Sequence, residues 1–83
     1  MYTLVLKNRQ AIDARHVGFV DDRLSIEAAG LTMLDAVRIF ADPECTECII
    51  CQHGSTETVY EGYTILNRVS AQDDSVIVLL EQM

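Results

Sequence analysis

One stretch, Thr32 to Pro43 (TMLDAVRIFADP), has helical spacing, and almost everything else alternates with the period of a β-strand. That contrast constrains the fold more than any other feature. Gly30 is suited to ending the strand before it. Thr32 is a good N-cap, because its hydroxyl can accept from a free N–H of the first turn. Asp35, three residues on, is a weak capping-box partner and suits the positive end of the helix dipole. Met33, Leu34, Val37, Phe40 and Ala41 fall on one apolar stripe, with Asp35, Arg38 and Asp42 elsewhere on the wheel. Pro43 disfavours helical geometry at Asp42 and is expected to end the helix there. Three turns with one apolar face do not persist alone in water, so the helix is expected to lie across a sheet.

The strands follow from alternation. Tyr2 to Lys7 sets Tyr2, Leu4 and Leu6 against Thr3, Val5 and Lys7. Asn8-Arg9-Gln10 reads as a turn, with Asn8 able to take the left-handed conformation. Ile12 to Val20 is a less regular strand, with Val17 and Phe19 on one side and Ile12, Ala14, His16 and Val20 on the other. After a turn at Asp21-Asp22, Arg23 to Ala29 alternates strictly, with Leu24, Ile26 and Ala28 inward. Beyond the helix, Glu47 to Gln52 and Ser75 to Glu81 are apolar on both faces, and the latter is placed centrally in the sheet. Thr56 to Ser70 is strand-like throughout, and Gly62 marks a bulge or a tight turn between two strands. The order is β-β-β-α-β-β-β. It predicts a single α+β domain over residues 1–83: a mostly antiparallel sheet of about six strands with one helix packed on one face.

Charge is distributed unevenly. Residues 1–38 carry Lys7, Arg9, Arg15, Arg23 and Arg38 against Asp13, Asp21, Asp22, Glu27 and Asp35, and are neutral. Residues 39–83 carry Arg68 against Asp42, Glu44, Glu47, Glu57, Glu61, Asp73, Asp74 and Glu81, so the whole net charge of −7 lies there. Such a surface repels phosphate backbones and anionic lipid, so neither nucleic acid nor membrane is an expected partner. It favours a basic protein partner through steering, or simply keeps a small protein in solution. No run of 18 apolar residues is present. The opening MYTLVLKNRQ has no basic leader followed by an apolar segment, so the expected address is a cytoplasm or a particle assembled there, not a secreted one.

Cys45, Cys48 and Cys51, followed by His53, supply the ligand types of a Cys3His zinc site. Two considerations weigh against it. On a strand, Cys48 and Cys51 point to opposite faces. A structural zinc site also usually draws on two separated ligand pairs, and a second pair is absent from the sequence. Buried cysteine otherwise serves as a small hydrophobe, and an odd cysteine count in a cytoplasmic chain argues against disulfides. His16, among apolar residues, is expected to be partly buried. Asp21-Asp22 and Asp73-Asp74 read first as turn residues. No phosphate-binding glycine loop and no catalytic motif stands in the chain, so no catalytic residue and no cofactor is assigned. Tyr60-Glu61-Gly62-Tyr63-Thr64 is the other distinctive stretch. It is either an exposed contact patch or, in the favoured reading, an aromatic pair covering the core.

Three stretches carry a resemblance to a family: the leucine, lysine and asparagine before the first turn in TLVLKNRQAID, the helix LTMLDAVRIFADPEC, and the strand start Tyr60-Glu61-Gly62-Tyr63-Thr64. In these the chain resembles small proteins of tailed phages and prophages of Gram-positive gut bacteria, often encoded among tail or baseplate genes. The three cysteines are not a mark of that family. The resemblance implies phage origin and a tail-associated role. The expected function is therefore a non-enzymatic structural or protein-interaction module, contacting a protein partner or another copy through Tyr60, Glu61, Tyr63, Asp73 and Asp74. Two alternatives stand beside it: a small acidic inhibitor that imitates nucleic acid on a basic host protein, and a metal-binding module built on Cys45, Cys48, Cys51 and His53.

Overall fold

The structure, a computed structural model, describes residues 1–71 and 74–82, and the side chains at 65–69 lie outside that description. The elements are β1 (Tyr2–Leu6), β2 (Ala11–Val20), β3 (Arg23–Ala29), α1 (Met33–Phe40), α2 (Pro43–Thr46), β4 (Cys48–His53), β5 (Thr56–Glu61), β6 (Tyr63–Ala71) and β7 (Ser75–Gln82). The seven strands form one sheet in the order β5-β4-β1-β2-β3-β7-β6, and every neighbouring pair is antiparallel. The mainly antiparallel sheet with some helix is as expected. The count differs, with seven strands and two helices among the described residues in place of six and one.

The extra strand comes from Gly62, which separates β5 from β6. These two strands lie at opposite ends of the sheet order. A flat seven-strand sheet would hold its outermost strands roughly 29 Å apart, whereas one linking residue spans at most about 7 Å. The sheet therefore curls until its ends meet at Gly62. The three principal extents, 29, 27 and 26 Å, are accordingly almost equal. Gly62 N–H donates to the Glu47 carbonyl at 2.9 Å, and the Gln82 side-chain amide donates to the Glu61 carbonyl at 3.1 Å. Both bonds hold the corner. Strand β7, expected at the centre, lies one place in from the end of the order, between β3 and β6.

Inside the curl, rows of opposed residues fill the core. Leu4 faces Ile12 and Cys51, Ile26 faces Val17 and Val78, and Leu24 faces Leu80. All of these are buried. The irregularity of β2 has a single cause. The pairing with β3 shifts between Ala14 and His16, leaving Arg15 without an opposite residue. An extra residue reverses the alternation, so Ile12, Ala14 and Val17 all point inward, where alternation alone had put Ile12 and Val17 on opposite faces. His16, expected partly buried, is exposed, and its Nε2 lies 3.0 Å from where a Cβ on Gly18 would sit.

The turns show a similar trade between side chain and backbone. Asp21 and Asp22 both have positive φ (51° and 65°), as a type I′ hairpin requires. In the first turn the left-handed residue is Arg9 (φ 72°), not Asn8. Asn8 instead accepts from the Gln10 N–H at 3.0 Å, while Arg9 N–H donates to the Leu6 carbonyl at 2.9 Å. The left-handed place thus falls on the last turn residue, as in three-residue hairpin loops.

Helix α1 starts as expected, with Thr32 Oγ1 accepting from Asp35 N–H at 3.1 Å. Its end differs. The helix stops at the Ala41 cap, and Asp42 caps the short helix α2, accepting from Glu44 N–H at 3.0 Å with Pro43 in its first turn. Proline fits a first helical turn as well as it blocks an interior, so the stop signal is also a start signal. The inward face of α1 also differs. Ala36 and Phe40 are fully buried, with Ile39 and Leu31 packed at the edge of the core. Of the expected inward stripe, Met33, Leu34, Val37 and Ala41 are exposed. Ala36, Ile39 and Phe40 lie at helical spacing of their own, so α1 is apolar on two faces and the sheet takes the one with the small Ala36. The helix rests on β6 and β7.

Gly62 has φ +75°, and nothing lies within 4 Å of a Cβ built on it. Gly62→Ala is therefore expected to cost about 1 kcal/mol through backbone strain alone, read as a lower urea midpoint with an unchanged slope. At the β2–β3 turn, Asp21→Asn with Asp22→Gly is expected to add about 1 kcal/mol by relieving two left-handed residues, read in the same titration.

Candidate interaction site

The stretch from Glu47 to Tyr63 forms the corner where the sheet closes. Strands β4 and β5 make a hairpin through the turn Gly54-Ser55, with His53 opposite Thr56 and Cys48 opposite Glu61. A two-residue turn makes its closing pair, His53 and Thr56, exchange both hydrogen bonds, and exchange then alternates along the ladder. Cys51–Thr58 and Ile49–Tyr60 are therefore exchanged pairs. Glu57, Val59 and Glu61 turn their N–H and C=O groups away from β4. Both corner bonds agree with this parity. Gly62 N–H points to β4, at Glu47, and the Glu61 carbonyl points away from it, to Gln82. Among the described residues, β5 pairs only with β4. It is exposed along its length except at half-buried Tyr60, and Val59 is 49% exposed.

Of the five expected contact residues, the structure brings three together. Tyr60 meets Phe19 of β2 edge to face at 5.9 Å and buried Tyr63 at 6.0 Å. Burial pushes the Tyr60 phenol up, with Cys51 adding to the shift. The tyrosines thus cover the core at the corner, and Glu61 between them is exposed. Asp74 lies elsewhere. Its carboxylate pairs with the Arg15 guanidinium, and it lines a depression of about 430 Å3 with Gly30, Thr32, Met33 and Ser75 at the start of α1. Beneath it, Ser75 Oγ donates to Glu27 at 3.0 Å. Asp73 is outside the described residues.

The cysteines and histidines are spread out. Cys51 is buried opposite Leu4, inside the curl. Cys48, three residues earlier on the same strand, lines an open depression of about 530 Å3 outside, with Lys7, Glu47, Glu61, Gly62 and Gln82. Within it Lys7 Nζ donates to Glu47 at 2.6 Å, a bond that raises the Lys7 pKa. Cys45 is buried on α2, where the Asn8 amide donates to its sulfur at 3.2 Å. His53 stacks on Tyr2 at 4.2 Å, its Nδ1 3.3 Å from the Met1 carbonyl oxygen. Among the described residues, no three His, Cys, Asp or Glu side chains are grouped to hold a metal ion. Burial pushes the Cys45 and Cys51 thiols up, and Asp42 and Glu44 push Cys45 further. Both are thereby held in the unreactive protonated form.

The second surface was not read from the sequence. Met33 (45% exposed), Leu34 (61%) and Val37 (42%) form an apolar patch on the solvent side of α1. The available signal was apolar residues around more of the helix than one core-facing stripe needs. Among the described residues, no helix is long and apolar enough to cross a membrane. Compared with protein-family models, curated proteins and solved structures, the chain matches none.

In the native protein, a thiol reagent at neutral pH is expected to label Cys48 first, with Cys45 and Cys51 slower by about tenfold or more and accessible only on unfolding. Peptide mapping after a short pulse checks this. Equal labelling of all three would contradict their placement.

Proposed function

We propose that the protein is a non-enzymatic structural module that associates with another copy of itself through the exposed face of α1. The observation that carries this reading is the patch of Met33, Leu34 and Val37. Three large side chains held in water on a rigid helix are costly unless a partner covers them. The flank of the patch suits a second copy. Asp35 and Arg38 lie three residues apart beside it. A twofold axis near the middle of two antiparallel helices would bring each Asp35 towards Arg38 of the second copy, and each Val37 towards its counterpart. Asp74, beside Met33 in the depression at the helix start, extends the same side of the molecule.

The resemblance to phage-encoded tail-region proteins supplies a setting for such a module, as a repeated part of a particle or of its assembly. The nucleic-acid-mimic alternative has less support. Glu47 and Asp74 are already paired with Lys7 and Arg15, and Asp42 caps α2, which removes three carboxylates from any display of free charge.

Size-exclusion chromatography with light scattering, at low and high salt, tests the reading. A closed oligomer at both salts is expected, since apolar contact survives screening. Leu34→Glu with Val37→Glu is expected to weaken it by on the order of 100-fold without changing the circular dichroism, because both residues are exposed. A wild-type monomer at both salts would overturn self-association.

A further inference from the structure

A different surface lies along the outer edge of β5. Strand β5 has an open edge along which Glu57 and Val59 offer both backbone groups and Glu61 its N–H, the Glu61 carbonyl being held by Gln82. An open edge of this kind templates an added strand, and proteins that must avoid this place a proline, charged side chains (lysine above all), a bulge or a covering segment there. In β5 there is no proline, lysine or bulge, its charges are Glu57 and Glu61, and among the described residues β4 is the element packed along it. The residues with free backbone groups are also those whose side chains share the outer face: Glu57, Val59, Glu61. They present acid, apolar, acid at every second position.

We infer that β5 binds an extended peptide segment as an additional antiparallel strand, and that the segment carries a basic residue, an apolar residue and a basic residue at alternate positions. In register, the two basic side chains lie opposite Glu57 and Glu61, and the apolar one lies opposite Val59. Main-chain hydrogen bonds to the edge supply attachment, and the alternate side chains supply selection. A second copy of β5 is a poor occupant. Continuing the curl in the symmetric register about Val59 would set Glu57 of each copy against Glu61 of the other, and like charges directly opposed are unfavourable. The edge thus rejects itself and accepts the opposite charge pattern. Lys7 and Glu47 line the depression beside Glu61 and are paired with each other, which leaves the charge of Glu61 uncompensated there.

Fluorescence anisotropy with a labelled peptide Thr-Lys-Thr-Val-Thr-Lys-Thr tests this, using the whole chain and, in parallel, the Leu34→Glu, Val37→Glu chain. Binding is expected to be the same for both, so that failure of self-association and failure of peptide binding are read separately. The affinity should fall about tenfold or more for Glu57→Lys with Glu61→Lys, and that variant should bind the counterpart peptide with glutamate in place of lysine. Val59→Pro removes an outward N–H without touching the β4 ladder and should abolish binding. The same peptide N-methylated at its valine should also fail to bind, which makes the test independent of how Val59→Pro folds. No binding of the lysine peptide, or equal binding of its N-methylated form, would overturn the inference. So would edge-to-edge dimers of the wild-type protein that are lost in Val59→Pro, since the occupant would then be a second copy.

Discussion

The structure depends on one turn of backbone. Gly62 takes a left-handed conformation that other residues adopt only at a cost, and in doing so it joins the first and last strands of a seven-strand sheet. A single residue cannot cross an open sheet, so the curl follows from the link. The curl creates an interior, and the remaining features serve that interior. The bulge at Arg15 keeps Ile12, Ala14 and Val17 all pointing into it. The rings of Phe19 and Tyr60, from strands that are not neighbours, meet at its rim, where Phe19 stays exposed. Helix α1 supplies Phe40 and Ala36 from the side of β6 and β7. In a chain of this length the core is modest, and the geometry that builds it leaves little freedom for change at the corner.

The same constraint explains why two surfaces are left over. A short helix that is apolar on two faces can bury only one against the sheet. Phe40 and Ala36 are buried because a small residue beside a large flat one allows close approach, and Met33, Leu34 and Val37 are displaced into water as a consequence. At the other end, β5 leaves the corner as the outer arm of a hairpin. Because Gly62 turns the chain through the corner into β6, β5 and β6 meet end to end and not side by side. The curl closes at a point and not along a ladder, so it satisfies the connection and, among the described residues, leaves the outer edge of β5 unpaired.

Much of this was legible in the sequence, and the failures have physical causes. The alternation in Tyr2–Lys7 and Arg23–Ala29, the Thr32 cap and the turn at Asp21-Asp22 were all readable because each rests on local geometry. The bulge in β2 was not, because one inserted residue leaves composition unchanged and only reverses parity. Pro43 was read as a stop when it is also a start, since the same fixed φ serves both. The inward face of α1 was misassigned because the helix wheel offered two apolar stripes, and only the shape of the sheet chooses between them. Gly62 was noticed as an interruption, but whether it bends a strand or divides the sheet depends on pairing partners far away in sequence. Tyr60, Glu61 and Tyr63 were singled out for their composition. Their placement at the closing corner is a consequence of topology, which no local pattern encodes.

The division of charge acquires a structural meaning once the elements are placed. The neutral first half builds β1 to β3 and most of α1, while the acidic second half builds the β4–β5 hairpin and the corner. On β5 neither glutamate closes an ion pair among the described residues, and Glu57 accepts from the Gln52 amide at 3.5 Å. The residues opposite them are Gln52 and Cys48, so neither glutamate faces an opposite charge across the hairpin. In the strand addition inferred for this edge, the glutamates would select the strand that is added. Paired symmetrically with a copy of itself, the edge meets its own charge. Paired with a basic strand, it meets the complement. Charge placed on an otherwise open edge therefore acts as a filter on pairing, and the apolar patch of α1, which carries no such filter at its centre, remains the surface suited to association between identical chains.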